Sequence, residues 1–445
     1  MPKRIRAAVE PLLPVTLPKG GIRYAPGVRA GRWIFATGIK ATDDFAGGIA
    51  PDVLRSGLPS WNGSKYRRES DRIFANLGRV LKAGGGRFHD IVRVDQYYTD
   101  YRAVEQYHGA RRAALGGRIP PSTSILQPRF LLAGQDIEVA MIAVVPEKGL
   151  RVQHLGAKGH PIHASSGYSL ALAAGDFIFV AGRLADAHVL TDGLAAEVRM
   201  PAGHLWKGAP VKLETEFIVT EKLAPALKAA GSSLADMVKC QVHLRDPADF
   251  ALFNEVWRKH FPAKAPATTL IPTATPGFAI DSARVEINAV ALRSAGRTTA
   301  KIVDAGVLPA WAGYPQAVRA GDLLFLSGLL AIDRGGLIEA ARPDPEQPFV
   351  GSSIHAQMEF LLRNAEKICR AAGTSLANVV RIQQFHTDPR EFHAACQVWQ
   401  RHLPGRPLPY SAFEVPFLPV PGCTVELDLW VYAPSKPGGK AGLDD

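Results

Sequence analysis

The chain has 445 residues, 47% of them hydrophobic, and a formal net charge of +11. This hydrophobic content excludes a disordered chain and suits several cores of ordinary domain size, and no apolar run approaches the ~20 residues that span a bilayer. The first 150 residues hold 23 Lys and Arg against 13 Asp and Glu. These charges are scattered without interleaved aromatic residues, so they indicate a solvated basic face and predict neither a nucleic-acid nor a membrane partner.

The N-terminal segment MPKRIRAAVEPLLPV is basic but has no continuous apolar stretch and no small-residue cleavage site, so it does not resemble a signal peptide. The four cysteines form no Cys-x-x-Cys pair. Both features predict a reduced, cytoplasmic environment.

An element of about 145 residues then occurs three times along the chain. The first copy contains GRWIFATG, DIVRVDQYYTD and DIEVAMIAVV, the second GDFIFVAG, DMVKCQVHLRD and RVEINAVAL, and the third GDLLFLSG, NVVRIQQFHTD and TVELDLWVY. A tyrosine precedes the glycine that ends the first block by 14 residues in every copy. These pairs are Tyr24 and Gly38, Tyr168 and Gly182, and Tyr314 and Gly328. A repeat of this length indicates three whole domains produced by tandem duplication.

Each copy follows the same order of predicted elements. Alternating strand patterns come first, then a helix, a strand, a second helix and a final apolar strand. This order predicts an α+β domain in which a mixed sheet is covered on one face by two helices. We place the copies at residues 21–147, 160–294 and 301–434, with an extension at 1–20 and a flexible tail at 435–445.

Charged residues also recur on the predicted strands. The last strand of each copy carries a glutamate (Glu138, Glu286 and Glu426), and the preceding strand carries a cation (Arg93, Lys239 and Arg381). If the two strands are neighbours, each pair can form a cross-strand ion pair, because buried charges need partners.

The second copy, with LKAAGSSLADMVKCQVHLRDPADFALFNEVWRKHFPAKAPATTLI, resembles the RidA family, also called YjgF or L-PSP. The block GYPQAVRAGDLLFLSG of the third copy resembles the N-terminal signature of that family. The resemblance implies chorismate-mutase-like domains that assemble as trimers with a ligand cleft at each interface. Three fused copies then imply an intramolecular pseudo-trimer, which is monomeric or weakly self-associating.

The resemblance also implies hydrolysis of reactive imines and enamines, with a turn arginine that binds the substrate carboxylate. This chain has Ser122, Thr268 and Tyr410 at the matching positions. Other cations recur four residues earlier, and they are candidates to replace the arginine: Arg118, Lys264 and Arg406. An acidic residue two places after the strand glutamate is kept only in the third copy, as Asp428.

We therefore predict a third-copy site in which Asp428 activates water while Tyr314 and Tyr410 hold the ligand. The other ligand-binding candidates comprise cleft tyrosines, residues of the glycine block, turn residues and two tryptophans in long inserts that could cover a cleft. They are Tyr24, Tyr168, Ser327, Gly328, Ser122, Thr268, Trp61 and Trp206. No metal-binding or phosphate-binding motif occurs, so the sequence predicts neither a metal nor a cofactor.

The leading functional hypothesis is a deaminase-like hydrolase that acts on a small imine, enamine or cyclic amide at a cleft between copies. One alternative is a metabolite-binding or scaffolding protein that has lost the arginine chemistry. A second alternative is a ribonuclease that uses the basic first copy.

Overall fold

The computed structural model describes residues 8–55, 64–146, 150, 152–156, 167–187, 193–204, 206, 209–309, 311, 313–347 and 350–434. The three units each form a six-stranded sheet with the same strand order. An edge strand is followed across the sheet by the two strands of a hairpin, by the last strand of the unit, by the middle strand between its helices, and by the strand that follows the second helix. The first sheet contains Glu10–Leu12, Gly27–Ala30, Trp33–Ile39, Ile137–Val144, Ile91–Tyr98 and Ser122–Leu126. The second contains Val152–Leu155, Ala171–Ala174, Phe177–Arg183, Val285–Leu292, Met237–Leu244 and Ala267–Pro272. The third contains Ala300–Val303, Ala317–Ala320, Leu323–Leu326, Val425–Tyr432, Val379–His386 and Tyr410–Glu414.

Neighbouring strands are antiparallel except for the last pair in each sheet, which is parallel. The predicted α+β class with mixed sheets is therefore confirmed. Two further hairpins pair Val15–Thr16 with Arg23–Tyr24 and Ile332–Asp333 with Gly336–Leu337. The edge strands Glu10–Leu12 and Val152–Leu155 lie outside the predicted copies, because the alternation of such short strands is too brief to read from sequence.

Amphipathic helices cover one face of each sheet. Those of the first unit are Pro51–Leu54, Lys65–Gly84 and Arg102–Leu115. The second unit has Ala209–Phe217, a π-helical turn Ile218–Leu223, Ala224–Ala229 and Asp249–His260, and the third has Ser353–Ala371 and Phe392–His402. Within the described residues, no helix is long and apolar enough to cross a membrane.

The opposite faces of the three sheets pack against one another. Trp33 of the first sheet lies edge-on to Phe177 of the second, with ring centroids 5.2 Å apart. Phe35 of the first sheet contacts Trp430 of the third at 6.2 Å. These side chains belong to one buried apolar cluster that draws residues from all three sheets, so the units are held together by a common core.

Beside this core, charged and amide side chains of the three middle strands and of the last strand of the third sheet form a buried polar network. Arg93 and Arg381 both bind Asp95, at 2.8 and 2.7 Å. Lys239 lies 2.9 Å from Asp428, which also accepts a 2.7 Å hydrogen bond from Gln241. The network joins the middle strands of different sheets and compensates charges that would be costly to bury alone.

The predicted cross-strand ion pairs are not formed. In the first sheet, Arg93 lies opposite Ile142, and Glu138 lies opposite Tyr97. The observed register therefore places the two charges four residue positions apart along the strands, about 13 Å at ~3.3 Å per residue. Glu138 instead lies 3.5 Å from Lys40.

Three candidate clefts between the sheets

Each pair of sheets meets along a cleft, and the three clefts are built alike. Cleft A joins the first and third sheets, where the Ala25 amide donates to Leu408 O at 3.0 Å. Cleft B joins the first and second sheets, where Ser169 N donates to Ile119 O at 2.9 Å. Cleft C joins the second and third sheets and contains the Tyr314 side chain. Every cleft thus combines residues of two units.

Glycines shape the floor of each cleft. A β-carbon on Gly182 would lie 1.9 Å from Glu286 Oε1, and one on Gly328 would lie 2.1 Å from Glu426 Oε1. In cleft A, Gly38 has a φ of +68°, and a β-carbon there would lie 2.4 Å from Tyr410 O. Only glycine lets the backbone come this close, so the recurring glycine positions the strand glutamate beside the bend of the strand.

Cleft B holds a buried cation at the position where the turn arginine is missing. Arg111 lies on the helix Arg102–Leu115, is fully buried, and donates from Nη1 to Ser122 Oγ at 3.0 Å. Burial lowers the pKa of Arg111, while the neighbouring phenols Tyr107 and Tyr98 oppose that shift. A guanidinium keeps its charge even in such surroundings, so Arg111 brings a positive charge to the hydroxyl of Ser122.

Cleft B also contains a second guanidinium and a carboxyl group with a perturbed pKa. Arg183 is 6% exposed and Glu286 is 5% exposed. Burial raises the pKa of Glu286 to about 8, with Arg183 opposing the shift and Asp186 adding to it. The cavity between them has a volume of about 80 Å³ and is lined by His108, Ser122, Ser124, Tyr168, Arg183 and Glu286 among others. Such a cavity admits only a small ligand.

Cleft A is larger and has a different lining. Its cavity of about 370 Å³ is bounded by Tyr24, Lys40, Phe45, Phe392 and Tyr410 among others. The Tyr24 hydroxyl donates to Thr37 O at 2.7 Å and to Gly38 O at 2.9 Å. Tyr24 therefore fixes the strand bend with its hydroxyl and presents its ring to the cleft.

In cleft C the polar groups bind one another. The Tyr314 hydroxyl donates to Asn254 Oδ1. Ser327 Oγ accepts from Thr268 N at 3.0 Å and donates to Pro315 O at 2.6 Å, and Gly328 N donates to Thr268 O at 3.1 Å. Because these groups are used within the protein, the serine, threonine and glycine have a structural role here.

The predicted catalytic trio is not one site. Tyr410 lies in cleft A, Tyr314 in cleft C, and Asp428 in the buried network beside Lys239. On the strand Val379–His386, Ile382 is paired with Tyr410, and the next residue, Gln383, is paired with Asp428. Successive residues of a strand face opposite sides, so the sheet separates Tyr410 from Asp428.

The remaining predicted residues are scattered. Ser122 and Tyr168 meet in cleft B, while Trp61 lies outside the described residues. Trp206 is 53% exposed and stacks on His204 with ring centroids 5.1 Å apart. Among the recurring cations, Arg118 and Lys264 are exposed and Arg406 is half-buried.

Three cations at the clefts do not recur among the copies, so recurrence alone does not identify them: Arg183 and Lys40 line cavities, and Arg111 lies behind Ser122. Arg111 lies eleven residues after Asp100, and the same spacing leads to tryptophans in the other copies, Trp257 and Trp399. Arg183 and Lys40 follow their cleft glycines by one and two residues, where the third copy has leucines. A comparison of the copies position by position would have found all three. No group of three His, Cys, Asp or Glu side chains within the described part of the chain is placed to bind a metal.

Comparison with known proteins relates the chain to the L-PSP and RutC proteins. The family model "Endoribonuclease L-PSP" matches residues 159–293 and 306–433, together more than half of the chain. A RutC family protein of Pyrococcus abyssi is 35% identical over 104 residues, which are 23% of this chain and 71% of that protein. Reactive Intermediate Deaminase A, chloroplastic, of Arabidopsis thaliana is 31% identical over 129 residues, which are 28% of this chain and 63% of that protein.

Among solved structures, a YjgF/YER057c/UK114 family member from Mycobacterium tuberculosis is 28% identical with a TM-score of 0.24, covering 30% of this chain and 100% of that one. The similar proteins include chloroplastic and mitochondrial ones. The cytoplasmic location therefore stays a prediction.

Proposed function

The chain belongs to the endoribonuclease L-PSP family, which includes the RidA and YjgF proteins, and on this premise we propose that it is a deaminase-like hydrolase working in cleft B. Its substrate is a small imine or enamine that carries a carboxylate. The proposal includes the arrangement of the three units as an intramolecular pseudo-trimer. The identical strand order of the three sheets and their shared apolar core support that arrangement.

One observation carries the choice of cleft B. A buried guanidinium, Arg111, reaches Ser122 from a neighbouring helix, and Ser122 occupies the turn position of the family arginine. Arg183 adds a second guanidinium to the wall of the same cavity. Guanidinium groups bind carboxylates through paired, charge-assisted hydrogen bonds. We therefore assign Arg183 to the substrate carboxylate, and Arg111 to holding the Ser122 hydroxyl in place and supplying positive charge behind it.

Glu286 is the group that moves protons. With a pKa of about 8, it changes protonation state near neutral pH, which is the range in which an acid–base catalyst works best. Glu286 accepts a proton from water as the water oxygen bonds to the imine carbon, and it passes that proton to the imine nitrogen, which gives a carbinolamine. It then accepts the hydroxyl proton as the carbonyl forms and donates it to the nitrogen as the carbon–nitrogen bond breaks. Water is consumed, and the products are a keto acid and ammonia.

The test measures ammonia and keto acid released from freshly generated 2-imino acids. We expect Glu286→Gln and Arg111→Met each to lower kcat/KM at least ~100-fold, as expected for losing proton transfer or substrate alignment. Arg112→Met is the matched control on the same helix, since its guanidinium lies at the surface 3.4 Å from Glu105. Retained turnover in Glu286→Gln would refute the proposal.

Cleft C supplies a second control. Burial raises the pKa of Glu426 well above its usual range, and Asp428 adds to that shift. Glutamine reproduces the shape of the protonated carboxyl group that this shift favours. We expect Glu426→Gln to keep full turnover, and an equal loss in Glu426→Gln and Glu286→Gln would contradict the assignment to cleft B.

A further inference from the structure

Cleft A differs from cleft B in its volume, in the side chains of its walls and in the cation that it contains. Its cavity of about 370 Å³ compares with about 80 Å³ in cleft B. An apolar cavity of about 150 Å³ already accommodates benzene. Cleft A therefore has room for one or two fused rings.

The walls of cleft A are aromatic. Tyr410 lies with its ring centroid 4.8 Å from that of Tyr24 and 4.8 Å from that of Phe392. Phe45 closes another side, and its backbone has a φ of +67°, which a phenylalanine rarely adopts. The guanidinium of Arg79 lies 4.5 Å from the Phe45 ring and helps to hold it in place. Strained residues of this kind concentrate at ligand-binding sites.

One half-buried cation, Lys40, provides the polar contact. Lys40 Nζ donates to Gly38 O at 2.9 Å and lies 3.5 Å from Glu138 Oε2. The same nitrogen is 5.4 Å from the Tyr24 ring centroid and 6.0 Å from that of Tyr410. An ammonium group has three protons to donate. With two of them directed at the backbone and the carboxylate, the third can reach a ligand in the cavity.

The charge of the bound ligand follows from this arrangement. An organic cation would need the position beside the tyrosine rings that Lys40 already occupies. The other basic side chains in the lining are Arg390, which is bound to Asp388 at 2.6 Å, and His393. Cleft A therefore favours a ligand that is flat, to contact the aromatic walls, and singly negative, to bind Lys40.

We propose that cleft A binds a planar aromatic monoanion of the arylcarboxylate class, at a site separate from the deaminase cleft. The proposal does not depend on the chemistry assigned to cleft B, because the two cavities share no lining residue. The second and third copies have leucines, Leu184 and Leu330, where the first has Lys40. This recognition is thus particular to cleft A.

The test is isothermal titration calorimetry of the full chain with 2-naphthoate. Two companion probes separate charge from shape: 2-naphthamide has the same rings without the charge, and cyclohexanecarboxylate has the charge without the plane. We expect 2-naphthoate to bind at least tenfold more tightly than either companion. Equal binding of 2-naphthamide, or no binding of 2-naphthoate at 1 mM (roughly −4 kcal/mol), would overturn the proposal.

Variants locate the binding site. We expect Lys40→Met to weaken 2-naphthoate at least tenfold, while Lys82→Met, an exposed lysine on the helix Lys65–Gly84, leaves it unchanged. Ala46→Trp fills the cavity from a half-buried loop position, so it blocks binding without disturbing the core. Unchanged binding in both Lys40→Met and Ala46→Trp would refute the site.

The two proposals can fail separately. Glu286→Gln should abolish ammonia release and leave 2-naphthoate binding intact. Loss of 2-naphthoate binding in Glu286→Gln would place the aromatic ligand in cleft B and overturn the assignment to cleft A.

Discussion

Replacing Asp428 by asparagine should destabilise the whole molecule without acting on a reaction directly. Asp428 and Lys239 are each 1% exposed, and their charged atoms lie 2.9 Å apart. The two residues come from different sheets, so their ion pair joins two of the three units. Burial lowers the pKa of Lys239, and the charge of Asp428 opposes that shift. The neutral amide of Asp428→Asn would leave the ammonium without its countercharge.

The size of the effect follows from the geometry. Unit charges 2.9 Å apart attract by about 6 kcal/mol at an effective dielectric constant of about 20. Asparagine keeps a hydrogen-bonding oxygen for Gln241, and Lys239 keeps its bonds to Thr269 Oγ1 at 2.8 Å and Leu326 O at 2.7 Å. We therefore expect a loss of about 3–5 kcal/mol, as is typical when one partner of a buried ion pair is removed.

The assay is urea unfolding at pH 7 followed by tryptophan fluorescence, because Trp33 and Trp430 are buried in the shared core. Asp71→Asn is the control, since Asp71 pairs with Arg67 at the surface and should contribute less than about 1 kcal/mol. The double variant Asp428→Leu with Lys239→Met should be more stable than Asp428→Asn alone. A loss below about 1 kcal/mol in Asp428→Asn would refute the reasoning.

Three further predictions test the clefts. The folded-state pKa of Glu286 is about 8 against an ordinary 4.5, so between these pH values the native state binds a proton that the unfolded state has lost, and wild-type stability falls as pH rises. Relative to wild type, Glu286→Gln should therefore gain about 2–4 kcal/mol of unfolding free energy between pH 5 and pH 8. Parallel stability profiles of the two proteins in urea unfolding would contradict the raised pKa. Gly182→Ala should displace the Glu286 carboxyl group and lower ammonia release at least tenfold, while Gly328→Ala, which makes the matching contact with Glu426, should not. Trp206→Ala should change neither unfolding nor turnover, because exposed side chains contribute within about 0.5 kcal/mol, and a tenfold loss of turnover would restore its predicted role as a lid.

Much of the fold could be predicted from the sequence because strand and helix periods are local. The alternating block GRWIFATG forms the strand Trp33–Ile39, and the two helices predicted for the third copy are Ser353–Ala371 and Phe392–His402. Register could not be predicted in this way. Arg93 and Glu138 lie on neighbouring strands as expected, but the observed register places them four residue positions apart. Hydrophobic alternation has a period of two, so it fits registers that differ by two or four residues equally well.

The site was predicted only in part, for a related reason. The recurrence of Tyr24, Tyr168 and Tyr314 identified the wall that each unit gives to a cleft. The recurrence does not show which unit supplies the opposite wall. The prediction that Tyr314 and Tyr410 share a site rests only on their belonging to one copy. In the structure each cleft takes its walls from two units, and Tyr410 completes the cleft of Tyr24.

Recurrence among the copies therefore marks what builds a cleft, and differences among them mark what a cleft binds. Each cleft glycine admits a close neighbour, Tyr410 O at Gly38 and the strand glutamate at Gly182 and Gly328, so a larger residue there would collide with the floor of the cleft. A cation that selects a ligand has no such constraint once the units are fused, because each cleft then exists once per chain. Arg111 replaces a buried tryptophan, and Lys40 replaces a leucine. A fully buried charge at Arg111 and a half-buried one at Lys40 are costly in place of apolar side chains unless they are paired and hydrogen-bonded, so these two substitutions favour ligand binding more than cations such as Arg118 that recur at the surface.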